Sequence, residues 1–260
     1  MNLHKWAWMG VVALALTACG GGSGSSDALP SAAELCASAG AQPKIFNGSD
    51  CANPNQSPVV QLVMQQSGGA FTCSGVMLTP TRVLSAAHCF PAGTQRVAAV
   101  LRTSAGDTQL VDATGWVNHP GYVESFSEIV NDAAVVTLSA AMPNPTMPLL
   151  VSSPSRKGNG VYMAGWGLPS SNLAVGYAVL TSVSELLLKV NFQGNLSDTC
   201  VGDSGGPVYR AVGGRQGVVG LTSTGTARAC GAADESLFTN TQAPGILNFI
   251  RAQAPGAAEI

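Results

Sequence analysis

The stretch "CVGDSGGP", residues 200–207, sets one hydroxyl, Ser204, between an acidic residue, Asp203, and two glycines, Gly205 and Gly206. A serine in so glycine-rich a segment is often a plain loop residue. Its other use is nucleophilic acyl transfer. That chemistry also needs a base to take the hydroxyl proton, a carboxylate to hold the base in one tautomer, and donors for the developing oxyanion. Outward from Ser204, "LSAAHC" (84–89) offers His88 as a base, and "NDAAVVTL" (131–138) offers Asp132 as the carboxylate. Taken singly, each has an ordinary structural reading, as a core histidine and a turn-forming aspartate.

The surrounding pattern is all-β. Short apolar runs rich in β-branched residues, such as "VVQLVM", "RVAAVLRT", "AAVVTL", "VYMAGW" and "GVVGLTS", alternate with Gly, Pro and Asn clusters, the spacing of a barrel or sandwich. Only "APGILNFIRAQ" (243–253) has helical spacing, with Pro244 early and Ile246, Leu247, Phe249 and Ile250 on one face. Charged residues make up 10% of the chain and the net charge is −2, which gives no electrostatic footprint for nucleic acid. No Gly-rich phosphate loop or paired-cysteine metal motif is present, and of three histidines His4 lies in the leader. The expectation is a protein with no cofactor and no metal.

Taken together and in this order, "AAHC", "ND-A" and "GDSGGP" resemble the chymotrypsin-like serine peptidases. "AGWG" (164–167), "NHPGY" (118–122) and "GLTSTG" (220–225) followed by Cys230 extend the resemblance over most of residues 45–251. It implies an all-β, two-barrel fold with a C-terminal helix over residues 45–260, and a likeness of roles position by position. His88 would be the general base and then the general acid, Asp132 its orienting carboxylate and Ser204 the nucleophile, with the N–H groups of Gly202 and Ser204 as the oxyanion hole. Ser223 would hydrogen-bond the triad carboxylate, and His119 would belong to a structural surface motif. Asp198, six residues before Ser204, would form the floor of the primary substrate pocket and select Lys or Arg, with Gly225 on its wall. Two positions depart from the trypsin pattern: Ser236 stands where a glycine is usual and narrows the pocket, and Thr224 replaces an aromatic residue. The stretch 102–112 lacks the family's paired acidic residues for calcium, so no calcium dependence is expected. The short interval between Asp132 and Ser204 implies trimmed loops and an open cleft.

The amino terminus reads as an export signal over residues 1–18, with Lys5 before an apolar run too short to span a bilayer. Its end, "LTAC" (16–19), resembles the lipobox of bacterial lipoproteins, which makes Cys19 a lipidation site; an ordinary signal-peptidase site at Ala18 and Gly20 is the alternative. "GGGSGSSD" (20–27) is a flexible linker, and residues 19–44 form a linker and propeptide. The expected location is the bacterial cell envelope, as an outer-membrane lipoprotein, or else the secreted fraction. "KIFNG" (44–48) resembles the activation site of trypsin-like zymogens: cleavage after Lys44 would free the amino group of Ile45 to pair with Asp203. Seven cysteines are present, and setting Cys19 aside leaves six, which sequence alone allows to pair in fifteen ways. The resemblance selects Cys73 with Cys89 and Cys200 with Cys230, leaving Cys36 with Cys51. The expected partners are protein or peptide substrates and, through the lipid, a membrane, with the chain a monomer. A competing reading is a catalytically silent family member serving as a cell-surface binding module; its usual mark, a broken triad, is missing.

Overall fold

Along "VVQLVMQQ" successive side chains point to opposite sides of the strand. Val60, Leu62 and Met64 are buried on one side with Met77, Val83, Val97 and Val136, whereas Val59 joins a different cluster with Leu149, Trp166 and Leu221. That division is the plan of the molecule: two β units, each with its own interior, share a third core between them.

The computed structural model describes residues 32–39, 42–43, 50–52, 56–102, 107–125, 129–168, 172–192, 197–226 and 235–260. In chain order the elements are α1 (Ala32–Ser38), β1 (Gln42–Pro43), β2 (Asp50–Ala52), β3 (Val59–Gln66), β4 (Gly69–Thr79), β5 (Arg82–Ser85), β6 (Arg96–Arg102), β7 (Thr108–Asn118), β8 (Val123–Glu124), β9 (Ile129–Val130) and β10 (Ala134–Leu138). The second half adds β11 (Gly160–Gly165), β12 (Leu173–Val179), β13 (Ser182–Val183), β14 (Leu187–Asn191), β15 (Pro207–Val212), β16 (Arg215–Gly225), β17 (Glu235–Asn240) and α2 (Pro244–Gln253). A short 3-10 turn, Ala87–Cys89, follows β5.

Six strands close the first barrel in the order β10-β5-β4-β3-β6-β7. The second unit is a curled nine-stranded sheet, β1-β2-β12-β11-β15-β16-β17-β14-β13, and this is the two-barrel arrangement implied by the sequence. Helix α2 starts with Pro244 in its first turn and buries Ile246, Phe249 and Ile250 in the core between the barrels. His119 meets the Phe249 ring edge-on at 5.0 Å, and its Nδ1 accepts the Gly121 N–H at 3.0 Å, so it serves to dock this helix.

Helix α1 lies within the stretch expected to be linker and propeptide. It is packed against the sheet: Cys36 and Ala39 are fully buried in the inter-barrel core, and Ser38 Oγ and Tyr209 Oη share a hydrogen bond of 2.8 Å. Strand β1 pairs with β2, which pairs in turn with β12. The segment before Lys44 thus contributes both a helix and a strand to the second unit.

Cys73 and Cys89 are disulfide-bonded, joining β4 to the turn that carries His88. Cys36 and Cys200 are also disulfide-bonded. Cys230 and the side chain of Cys51, their expected partners, lie outside the described residues, as do Cys19, Lys44 and Ile45.

Ile250 has no exposed surface, whereas Asn248 faces solvent from the same helix. Ile250→Ala is expected to destabilise the fold by about 2–5 kcal/mol through the lost contacts and the cavity left behind. Asn248→Ala is expected to stay within about 0.5 kcal/mol, both measured by denaturant unfolding.

Candidate active site

Asp132 is the one charged residue among the described residues that is fully buried. Its carboxylate has no exposed surface and sits at the seam between the two units. The preceding residue, Asn131, takes a left-handed conformation (φ 52°), alone among the described non-glycine residues. Asparagine tolerates this region better than most residues. Its side-chain amide donates to the Gly121 carbonyl at 2.8 Å, fixing the turn that points Asp132 inward.

Three donors hold the carboxylate. Oδ1 accepts the backbone N–H of His88 at 2.9 Å, while Oδ2 lies 2.7 Å from His88 Nδ1 and accepts the Ser223 hydroxyl at 2.6 Å. Ser223 sits where the pairing of β16 with β17 slips between Thr222 and Thr224. Such a bulge re-aims a side chain, here from the sheet into the seam. The Asp132 main-chain carbonyl accepts the Thr239 hydroxyl of β17 at 3.0 Å.

Burial alone would push the Asp132 carboxyl up, but the hydrogen bonds and charge of His88, helped by the Ser223 hydroxyl, hold it below the ordinary value. Burial likewise disfavours the His88 imidazolium, and the bond and charge of Asp132 outweigh it, leaving His88 above the usual imidazole range. An imidazole stabilised in this way can take a proton and return it.

Ser204 is held by its backbone. Its carbonyl accepts the Ser74 N–H at 2.8 Å and lies 3.8 Å from the sulfur of Cys89, the residue after His88. Its hydroxyl makes no hydrogen bond among the described residues. Gly202, at φ 98°, takes a conformation that residues with a side chain rarely adopt, and its N–H, like that of Ser204, is unused among the described residues. Two N–H groups without partners among the described residues, close in sequence to one hydroxyl, are the donor type an oxyanion site requires.

Asp203 turns away from these donors. Its carboxylate accepts the N–H of Gly167 at 2.8 Å and of Cys200 at 2.9 Å. Side chains are excluded at Gly165 and Gly167 for this reason: a Cβ on Gly167 would fall 2.6 Å from the Asp203 carboxyl carbon. Burial raises the Asp203 carboxyl above its ordinary value, and the nearby charge of Asp198 adds to the rise against the two N–H bonds.

Asp198 and Asp203 both border a small cavity of about 40 Å³ with small residues, Ala164, Gly165, Ala174 and Gly176, among its walls. The Asp198 carboxylate accepts the N–H of Thr199 at 2.8 Å and the hydroxyl of Ser236, a fully buried side chain. Ser236 pairs across the sheet with Gly225. The neighbouring charge of Glu235 is met by Lys189 at 3.0 Å.

Cys73, Cys89 and His88 cluster closely enough to suggest a metal site, but the two sulfurs are bonded to each other and cannot serve as thiolate ligands. Sequence reasoning missed Ser74 and Asn131. Neither carries a local signal, since a serine inside a strand and an asparagine before an aspartate are both common.

A sequence model of the family Trypsin matches residues 45–244. This chain belongs to the trypsin family. It is 29% identical to kallikrein-4 of Homo sapiens over 188 residues, covering 64% of this chain and 72% of that protein. Trypsin of Xenopus laevis is 29% identical over 200 residues, covering 68% and 79%, and brachyurin of Leptuca pugilator 32% over 198 residues, covering 65% and 82%. Membership makes this trypsin-family protein a serine endopeptidase by descent, with protein substrates.

A general base at His88 would act only when neutral, so hydrolysis is expected to rise with pH as His88 loses its proton, with a midpoint above the ordinary 6.5. Asp132→Asn is expected to lower kcat of the order of 10⁴-fold. It should also move that midpoint below the wild-type value, because burial remains while the compensating charge is gone. The pH dependence of kcat/KM for both proteins checks this.

Proposed function

We propose that the protein is a cell-envelope serine endopeptidase that cuts after Lys or Arg and is made as a zymogen activated by cleavage after Lys44. The observation that carries the reading is the buried Asp132 carboxylate, which grips His88 through both its ring and its backbone. Ser204 Oγ attacks the scissile carbonyl while His88 Nε2 takes its proton, and Asp132 stabilises the imidazolium that results. The N–H groups of Gly202 and Ser204 receive the oxyanion, each donor contributing about 3 kcal/mol to lowering the barrier. His88 then protonates the leaving amine, and water repeats the sequence to release the acid.

Asp198 supplies the negative charge for a basic substrate side chain. The Ser236 hydroxyl competes for that carboxylate and fills space beside it. Ser236→Gly is therefore expected to raise kcat/KM for Lys and Arg substrates about tenfold, the effect of roughly one charge-assisted hydrogen bond. No change, or a fall, would mean that Ser236 is not at the pocket floor.

The cavity beside Asp203 suits the new amino terminus: the Asp203 carboxylate borders it for the Ile45 ammonium, and Met163, Ala164 and Ala174 offer apolar contact for the side chain. Burial of Asp203 without a cation is costly, and pairing with Ile45 removes that cost while ordering the segment around Gly202.

Cys19 carries the lipid, and the segment before Lys44 stays with the enzyme after the cut. Its hold is double: the Cys36 disulfide, and the burial of Cys36 and Ala39 with the Ser38–Tyr209 bond. Reductant alone should therefore leave much of the cleaved enzyme in the membrane fraction, and release should need reductant with mild denaturant. Release with neither would refute the lipid or the retained segment, and mass analysis of Cys19 tells which.

Amino-terminal sequencing of the mature protein, with peptides varied at the residue before the scissile bond, tests the main reading. The expected result is a start at Ile45 and cleavage after Lys or Arg. A start at Cys19 with no hydrolysis even after treatment with trypsin would overturn it.

A further inference from the structure

Ser74 lies in β4 of the first barrel, has no exposed surface, and uses every polar atom it owns. Its hydroxyl donates to the carbonyl oxygen of Gly202 at 2.8 Å, and its own Oγ accepts the N–H of Trp166 at 2.9 Å. Its N–H donates to the Ser204 carbonyl at 2.8 Å, and its carbonyl accepts the Ser85 hydroxyl at 2.8 Å. A hydroxyl offers one proton and two lone pairs. Here the proton reaches the loop of the nucleophile and a lone pair reaches the second barrel.

The direction of the Gly202 N–H depends on two peptide planes. The plane that contains it also contains the Val201 carbonyl, which accepts the Leu168 N–H at 2.9 Å. The following plane contains the Gly202 carbonyl held by Ser74, and the Asp203 N–H in it donates to Cys200 O at 3.0 Å. Between the planes stands Gly202 at φ 98°, a residue with no side chain to restrict its rotation. Without an anchor on the second plane, such a glycine can turn its donor away.

We propose that Ser74 is a positioning residue of the oxyanion site: its buried hydroxyl pins the Gly202–Asp203 peptide so that the Gly202 N–H faces the substrate carbonyl attacked by Ser204. This rests on the proposed reading of Gly202 and Ser204 as oxyanion donors. The bond is made to the main chain and leaves the Asp203 carboxylate free of it, so it steadies the donor from the first barrel's side while Ile45 and Asp203 act from the other.

The test uses the activated full-length enzyme and a matched pair of inhibitors built on its best-cleaved peptide. One ends in an aldehyde, which Ser204 converts to a tetrahedral adduct bearing an oxyanion; the other ends in the corresponding alcohol, which forms none. Ser74→Ala should lower kcat about tenfold with KM within about twofold, and should weaken the aldehyde by about the same factor while the alcohol binds as before, since a preorganised donor acts on the transition state rather than the bound substrate. Ser74→Gly should show the same selective loss and serves if the alanine variant does not fold. Equal weakening of both inhibitors, or a variant as active as wild type, would overturn the role of Ser74. A wild-type enzyme that cleaves no peptide and binds the aldehyde no better than the alcohol would instead overturn the peptidase reading itself.

Discussion

An ionised carboxylate with no exposed surface is tolerated only where every face is bonded. Asp132 meets that condition by drawing carboxylate donors from both halves of the molecule, His88 from the first barrel and Ser223 from the second unit, while Thr239 of the second unit bonds its main-chain carbonyl. The two units therefore cannot slide past each other without stranding a buried charge. The apolar core between them supplies adhesion of no particular register, and the Asp132 bonds supply the register. The groups that govern proton transfer are thus the same groups that fix how the halves meet.

The second constraint is the crowding around Asp203. A carboxylate, a tryptophan backbone and the chain reversal before Ser204 occupy the same few ångströms, which is why the sequence there runs to glycine on both sides. Trp166 closes this region from above, its ring carrying Arg102 at 4.7 Å and its Nε1 donating to the Val59 carbonyl at 3.2 Å. The first barrel thus grips the loop of the nucleophile through Ser74 and Trp166 as well as through the Asp132 seam.

How much of this was legible beforehand follows from the range of each interaction. The all-β class was visible because alternating burial leaves a period of two in the sequence, and the single helix at the end because its apolar residues recur on one face. His88, Asp132 and Ser204 were legible only together, because "AAHC", "ND-A" and "GDSGGP" in this order resemble one family, whereas each residue alone has an ordinary structural reading. Ser223 was placed by resemblance, and the reason it faces Asp132, a slip in strand pairing, has no sequence mark. Ser74 was invisible because its importance lies in contacts 92 and 128 residues away along the chain. Helix α1 was hidden for a different reason. Its seven residues are too short to stand alone, and only the buried face it finds on the second unit makes it a helix.

The two units also differ in a way that bears on the protein's fate outside its native state. The first barrel is closed and has no edge, whereas the open sheet ends at β1 and β13, each only two residues long, and β1 contains Pro43, which has no N–H to offer. Both ends are therefore poor templates for a foreign strand. Because one of those blunt ends is contributed by residues upstream of Lys44, that segment doubles as a guard against sheet-to-sheet association, and a chain trimmed of it would expose β2 to its neighbours in a concentrated solution.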